Sequence, residues 1–563
     1  MINEKNEKNQ KTFAIALASY GSPNHSDVWQ DLTLNTLKGH IMGVFGDKVS
    51  VDTYRIHSNN DIDKLIQNFS EKNYGLIGFS LDNASKEFFF KTLSCINKSN
   101  ITTPPIIVGG VLATSAHDVL IENNEDFIKL KPLIVTGRGE VALQEYVHSL
   151  LNDIPLDKPL DNTYLYNPIT GNYEKGKTKR VDLSKLKYPP AANSNTDNKN
   201  QVQAVQNSCS CYGKCSYCSQ HGTANTWQSF PIERIKMDLE SAILQEKYEL
   251  EFVDEDYFGW PTTKHLERAY KLGDIINELR LKYHVNIQFR IFTNPVVIAN
   301  KNVSSDGRTF RDLLKYYQNL GLSRVYLGIE SFSADQRLRY HRRDSLDDCF
   351  SAIQLLDELG IECDAGFIAF DAESSLQDLI NNCAGIRKSN LLKYNTWPMR
   401  AMILTYGTAM YHRIKSLGLL GVRSEENPAS FTYKFLNPDV EQIYNGIKFI
   451  ADLSSSLFII LKYFFKQFCM SEKHKDKVQT IFCFIKKNGE LNLEYMEDMI
   501  AELKNHNSIA KSTAVIRQKL LNLVNEINNN IGILDVFDYD TTHLQKSINN
   551  TLQALASGDN NVQ

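Results

Sequence analysis

Residues 208–218 read Ser208-Cys209-Ser210-Cys211-Tyr212-Gly213-Lys214-Cys215-Ser216-Tyr217-Cys218, and they hold four of the chain's ten cysteines. Several thiolates on one short loop suit a soft metal centre. The spacing Cys211-x3-Cys215-x2-Cys218 supplies three, with an aromatic, Tyr217, directly before the last. A closed structural zinc site takes four ligands, and Cys209 is the available fourth, awkwardly close to Cys211. Three cysteines on a cubane cluster instead leave one iron open to a small molecule, whereas electron-transfer ferredoxins use four cysteines per cluster. The other six cysteines are scattered and read as small buried hydrophobes.

The loop follows a short apolar run at 202–206, the first of a series. Further strand-like runs fall at 249–254, 287–293, 324–330, 363–370 and 400–404, and helical patterns at 232–247, 263–282, 310–320, 346–359 and 376–388. Six strand–helix units predict an incomplete parallel barrel with its active site at the carboxyl ends of the strands. Two of those ends carry acids: Asp254-Glu255-Asp256, and Glu330, followed by Arg337, Arg339, Arg342 and Arg343.

Upstream, residues 12–151 alternate in the same way, with strands predicted at 12–19, 49–54, 74–80, 105–109 and 133–136 and helices such as 61–69 and 85–96. Five such units predict a flavodoxin-like (Rossmann-like) α/β domain that binds ligands at its strand ends. Ser80, the pair Gly109-Gly110, and Gly137-Arg138-Gly139-Glu140 stand at those ends, where glycines let a backbone approach a large ligand. Residues 152–200, rich in turn residues, Pro and Asn, read as a loosely packed linker. Beyond 421 the pattern turns helical, at 440–466, 494–505 and 509–529, and 557–563 reads as a disordered tail. The expected division is 12–151, 152–200, 201–420 and 421–556.

The bulk numbers narrow the class. The 563 residues exceed one core. A net charge of −4 argues against a broad nucleic-acid surface. The polar start is not a signal peptide, and the apolar stretch 456–465 is too short for a membrane span. The expected location is therefore the cytoplasm, where ten cysteines are not a disulfide framework.

Cys211, Cys215, Tyr217 and Cys218 match the signature of the radical S-adenosylmethionine (SAM) superfamily, with Cys209-Ser210 standing where that family usually has Arg-Gly. The resemblance extends to Gly328-Ile329-Glu330-Ser331, to 360–370, and to Gly407-Thr408-Ala409-Met410-Tyr411. It implies a [4Fe-4S] cluster on Cys211, Cys215 and Cys218, with SAM cleaved to a 5′-deoxyadenosyl radical. Glu330 and Ser331 are then expected to contact SAM, Phe367 and Phe370 to line the adenine pocket, and Tyr217 to lie beside the cofactor. The N-terminal domain resembles the cobalamin-binding domain that precedes many such cores, and the two-domain resemblance covers about residues 12–420. It implies cobalamin held by Ser80, Gly109, Gly110, Gly137 and Glu140. The D-x-H-x-x-G of cobalt-ligating cobalamin domains is absent, Ala18-Ser19-Tyr20-Gly21-Ser22-Pro23 standing in its place, and the nearby His25 does not fit that pattern.

The implied activity is a cobalamin-dependent C-methyltransferase acting on an unactivated carbon of a natural product or peptide. The alternative is a radical SAM cyclase, oxidase or rearrangement enzyme, with or without cobalamin. A flavodoxin or ferredoxin is the implied reducing partner. Methylthiotransferases carry three further cysteines in the N-terminal domain, which here has only Cys95. A non-enzymatic metal-dependent module is the least fitting class.

Overall fold

The computed structural model describes residues 12–21, 28–82, 85–99, 103–122, 124–192, 202–219, 226–393, 399–468, 475–505, 508–530 and 542–556. The expected disordered tail at 557–563, and His25, lie outside them.

The N-terminal sheet is built on β1 (Phe13–Tyr20), an unbroken apolar run because both its faces are covered. Ala16, Ala18 and Tyr20 enter one core and Ile15 and Leu17 the other. β2 (Val49–Ile56), β3 (Leu76–Leu81), β4 (Ile106–Gly110) and β5 (Leu133–Val135) join it in parallel, in the order β2-β1-β3-β4-β5. This is the flavodoxin-like order, which opens a crevice at the carboxyl ends. Register sets Ser80 beside Gly109 at that edge.

The linker expectation fails in part. Residues 152–192 do not pack loosely: β6 (Thr163–Asn167) extends the same sheet antiparallel to β5, and β7 (Asn172–Lys175) pairs antiparallel with β6. The Tyr188-Pro189-Pro190 segment lies so close to helix Val28–Phe45 that a Cβ on Gly39 would sit 2.1 Å from the Pro189 carbonyl oxygen. Turn residues mark where the chain bends, and here the bends join paired strands.

The second sheet has five parallel strands in sequential order: β8 (Gln203–Val205), β11 (Glu249–Phe252), β12 (Gln288–Thr293), β15 (Leu322–Glu330) and β16 (Glu362–Phe367). Between β8 and β11 lies a short antiparallel pair, β9 (Ser208–Cys209) with β10 (Gln228–Ser229). The small hairpin β13 (Ser304–Ser305) and β14 (Arg308–Thr309) leads into helix Phe310–Leu320, started by a Thr309–Asp312 capping box. The sixth unit is only a rudiment. Phe370 bridges to Ala401 in parallel, after which β17 (Leu404–Thr405) leaves to form a separate antiparallel sheet with β19 (Ser430–Tyr433) and β18 (Leu420–Arg423).

The helical C-terminal region is Pro438–Phe468, Lys475–Lys504, Ala510–Asn529 and Thr542–Ala556. It has no separate core, because Val440, Ile481 and Leu520 belong to the cluster that holds Val325 and Leu356 of the barrel. The stretch Pro438–Lys462 reaches the length and mean hydropathy, 1.2, of a membrane-crossing helix. The apolar segment is thus longer than 456–465. Its Val440, Ile443, Ile447, Ile450 and Leu457 are buried in the protein core.

Candidate functional site

The carboxyl ends of the two sheets face each other across one cavity of about 1230 Å³. Ser80, Gly109, Gly110, Gly137 and Glu140 line it from the first sheet, and Cys209, Cys215 and Cys218 from the second. Drug-sized ligand pockets occupy roughly 300–1,000 Å³, so this space suits a larger group.

Arg138 joins the two halves. It pairs with Glu140, donates to Gln206 Oε1 at 3.3 Å, and its guanidinium lies 5.1 Å from the Phe230 ring centre, with Arg234 3.7 Å from that centre. Glu140 is buried in this pair, which holds its carboxyl below the usual range despite burial. It thus anchors Arg138 while still lining the cavity. Neither Arg138 nor Phe230 stood out in the sequence, because an arginine between two glycines has no local signature of its partner.

The cysteine loop is braced by the three acids after β11. Asp254 accepts from the Ser208 hydroxyl at 2.5 Å and from the Ser208 amide. Glu255 accepts from the Ser210 amide at 2.8 Å. Asp256 accepts from Thr293 Oγ1 at 3.0 Å and Asn294 Nδ2 at 3.2 Å, and lies 3.8 Å from Cys211 Sγ. Burial pushes Asp254 up to about 8 and Asp256 up to about 6. Burial, and then the Asp256 charge, raise the Cys211 thiol, so taking up a metal centre would release a proton.

Ser210 adopts φ +68, in the left-handed region. That conformation explains why glycine suits this position, and serine carries the cost of a Cβ there. Ser210→Gly is expected to raise stability by up to about 1 kcal/mol, the left-handed penalty less the extra chain entropy of glycine. Chemical denaturation of both proteins checks it, and a destabilised variant would contradict it.

The three thiols suit a cluster. A Cβ on Gly213 would lie 3.4 Å from Cys211 Sγ and 3.5 Å from Cys215 Sγ, in ordinary contact with both, so this glycine sits in the cradle of the loop. Among the described residues no three His, Cys, Asp or Glu side chains converge on a single-ion site. In a cubane each cysteine binds a different iron, which asks for thiols set apart.

Glu330 also has a left-handed backbone, φ +67, at the end of β15. Its Oε1 lies between Gly328 and Gly366, 3.2 and 3.1 Å from where their Cβ atoms would be. Burial raises its carboxyl, while the Arg342 charge and a hydrogen bond from Tyr217 work in the opposite direction. Strain at a polar strand end beside the cysteine loop marks a functional position. Tyr217 packs edge-on to Tyr340 at 5.4 Å.

Three of the residues expected to contact SAM are packed among protein side chains. Ser331 is fully buried, its hydroxyl within 2.7 Å of Gln336 Oε1 and 2.9 Å of Asn382 Oδ1, so it ties the strand end to neighbouring helices. Phe370 is fully buried, with Tyr444 of the C-terminal helices 5.6 Å away. Phe367 is in the core against Phe332 at 5.5 Å. Apolar residues at the end of a parallel strand are core by default, and a motif match does not reveal which face they take.

Among the arginines, Arg337 is spent on Asp344 and the carbonyls of Ile329 and Ser331. Arg339 pairs with Asp371 and Asp378. Of these three guanidinium groups Arg342's reaches a cysteine, Cys215, and its buried Nε has no partner among the described residues. An unpaired buried donor beside Cys215 and Glu330 fits an anionic group there. His117, also not singled out by sequence, lines the cavity with its ring 4.4 Å from that of Tyr164.

The description of the Radical SAM superfamily matches residues 208–371. A curated relative, 4'-phospho-dehydrooxetanocin synthase of Priestia megaterium, is 22% identical over 322 residues, 55% of this chain and 42% of that protein. The match thus spans well under half of that relative's length. Among solved structures, the cobalamin-dependent S-adenosylmethionine radical enzyme OxsB with aqua-cobalamin and S-adenosylmethionine bound is similar with a TM-score of 0.79 at 14% identity, over 97% of this chain and 84% of that one. The radical S-adenosylmethionine methyltransferase TsrM from Kitasatospora setae, with tryptophan substrate and a SAM analog, is similar with a TM-score of 0.56 at 13% identity, over 72% of this chain and 76% of that one.

Proposed function

We propose, from the match of residues 208–371 to the Radical SAM superfamily, that the chain is a cobalamin-dependent radical SAM enzyme that methylates an unactivated carbon of a small molecule or peptide. The observation that carries this reading is the single cavity lined both by Cys215 and Cys218 and by Ser80, Gly109, Gly110 and Gly137. When bound, a [4Fe-4S] cluster supplies the electron that cleaves SAM, and cobalamin supplies a methyl carrier.

The chain's own residues do the rest. Cys211, Cys215 and Cys218 would hold the cluster, and Glu330 would take a polar group of SAM, its carboxylate positioned between Gly328 and Gly366. Asp254, Glu255 and Asp256 hold the loop rigid. Gly109 leaves room at the floor of the cavity, and Arg138 keeps the two sheets in register. The cleft between the two sheets shields part of the reactive centre from bulk water. A flavodoxin or ferredoxin as reductant and a cytoplasmic location belong to the same proposal. The cysteines free of disulfides, nine among the described residues, suit such a reducing compartment.

The test is to load the protein with hydroxocobalamin, reconstitute the cluster anaerobically, reduce it and add SAM. The expected products are 5′-deoxyadenosine together with S-adenosylhomocysteine in an amount matching the bound cobalamin. 5′-Deoxyadenosine without S-adenosylhomocysteine would favour a second reading, a radical rearrangement or oxidation. That reading has its own support, since the relative from Priestia megaterium is named a synthase.

A further inference from the structure

Two thiols of the cysteine loop receive hydrogen bonds from one connected pair of side chains. Asn294, directly after β12, donates from Nδ2 to Cys211 Sγ at 3.5 Å. Its Oδ1 accepts from Arg342 Nη2 at 3.3 Å. Arg342 Nη1 in turn donates to Cys215 Sγ at 3.5 Å. The backbone amide of Gly213 gives Cys211 another bond, at 3.3 Å.

The pair is held from several sides. Arg342 Nη2 also donates to the Gly328 carbonyl at 2.5 Å and meets Asp344 Oδ1 at 2.8 Å. Asn294 is fixed by Asp256 at 3.2 Å. The Arg342 side chain is only 4% exposed. A guanidinium so withdrawn from water needs anions around it, and Asp344 is already shared with Arg337. Thiolates of a bound cluster would supply the remaining negative charge.

Adding an electron to a cluster increases the negative charge on its sulfurs. Donors and positive charge aimed at those sulfurs stabilise the reduced form more than the oxidised form, and they work most strongly where water is excluded. We propose that Arg342 and Asn294 are positioning residues that raise the reduction potential of the cluster through Cys215 and Cys211, making it accessible to a biological reductant. The inference rests on the radical SAM reading and adds to it an electrostatic control built from the end of β12 and the turn after helix Ala334–Arg339.

The experiment is an anaerobic potentiometric titration of the reconstituted full-length protein without SAM, followed by electron paramagnetic resonance of the reduced cluster. Arg342→Gln and Asn294→Leu are compared with the wild type, with iron and sulfide counted in each. Both variants should keep the cluster and titrate at more negative potential. For Arg342→Gln the reduction equilibrium should fall roughly tenfold, about 59 mV for a one-electron couple, and Arg342→Lys should fall between. Intact clusters with unchanged midpoints would overturn the proposal. So would an Arg342→Gln protein of unchanged midpoint that has lost SAM affinity, since Arg342 would then serve SAM. If Arg342→Gln takes up no iron, the Asn294→Leu midpoint decides. A wild-type protein that takes up no iron would instead sink the radical SAM reading itself.

Discussion

Replacing Cys211, Cys215 and Cys218 together by alanine abolishes iron–sulfur uptake, whereas Cys209→Ala retains it. Wild-type protein reconstituted anaerobically should hold about four iron and about four sulfide, with an absorbance shoulder at roughly 400 nm, as cysteine-ligated cubanes do. The triple variant loses all three thiols of the loop, two of which flank Gly213, and among the described residues no group of three His, Cys, Asp or Glu side chains forms a single-ion site. Cys209 differs in position. It lies in β9, paired with Gln228 of β10, with its thiol 3.9 Å from the Ser210 hydroxyl. Burial is the main cause that raises its thiol, opposed by the nearby Arg138 charge. Ser210, left-handed at φ +68, turns the chain between Cys209 and the loop proper. Iron, sulfide and absorbance measurements on both variants check the contrast. A Cys209→Ala protein as empty as the triple variant would mean a four-cysteine site with no open iron.

Gly109→Leu blocks cobalamin retention while the N-terminal domain stays folded, and Gly110→Leu unfolds that domain. The two glycines are adjacent, yet their surroundings differ. Gly110 has φ +96, and a Cβ there would lie 2.4 Å from the carbonyl oxygen and 2.6 Å from the amide nitrogen of Leu81 on β3. Backbone cannot yield as a flexible side chain can, so this substitution should cost roughly 3 kcal/mol or more. Gly110 is thus required by the sheet itself and says nothing about a ring above it. A Cβ on Gly109 meets Val135 only at 3.8 Å, so a longer side chain is accommodated by the sheet and fills the cavity floor beside Ser80. The checks are cobalamin absorbance after removal of free cofactor, and circular dichroism of each variant. Gly109→Leu protein that is folded and retains cobalamin as well as wild type would move the cofactor off this floor.

Local sequence was enough to reveal the cysteine loop, because three ligands within eight residues declare their chemistry without help from the rest of the chain. It was also enough for the two parallel sheets. Strands covered on both faces read as short apolar runs separated by amphipathic helices, so 13–20 announces itself, and 322–330 does so through Val325, Leu327 and Ile329. The hairpin β6–β7 was hidden because its turn residues look the same in a linker. The missing sixth strand was hidden because 400–404 is apolar in either sheet.

Side-chain roles depended on tertiary structure wherever the partner is distant in sequence. Arg337, Arg339 and Arg342 are indistinguishable along the chain. The carbonyls of Ile329 and Ser331, the Asp371–Asp378 pair and Cys215 divide them, and Cys215 is 127 positions from Arg342. The acids 254–256 read equally well as a solvated loop until they meet Ser208, Ser210 and Asn294. Ser331 and Phe370 look like cofactor contacts in the motif and are core in the fold. A ligand triad is set by spacing along the backbone, but the charge, burial and hydrogen bonds that tune it come from segments that only folding brings within a few ångströms.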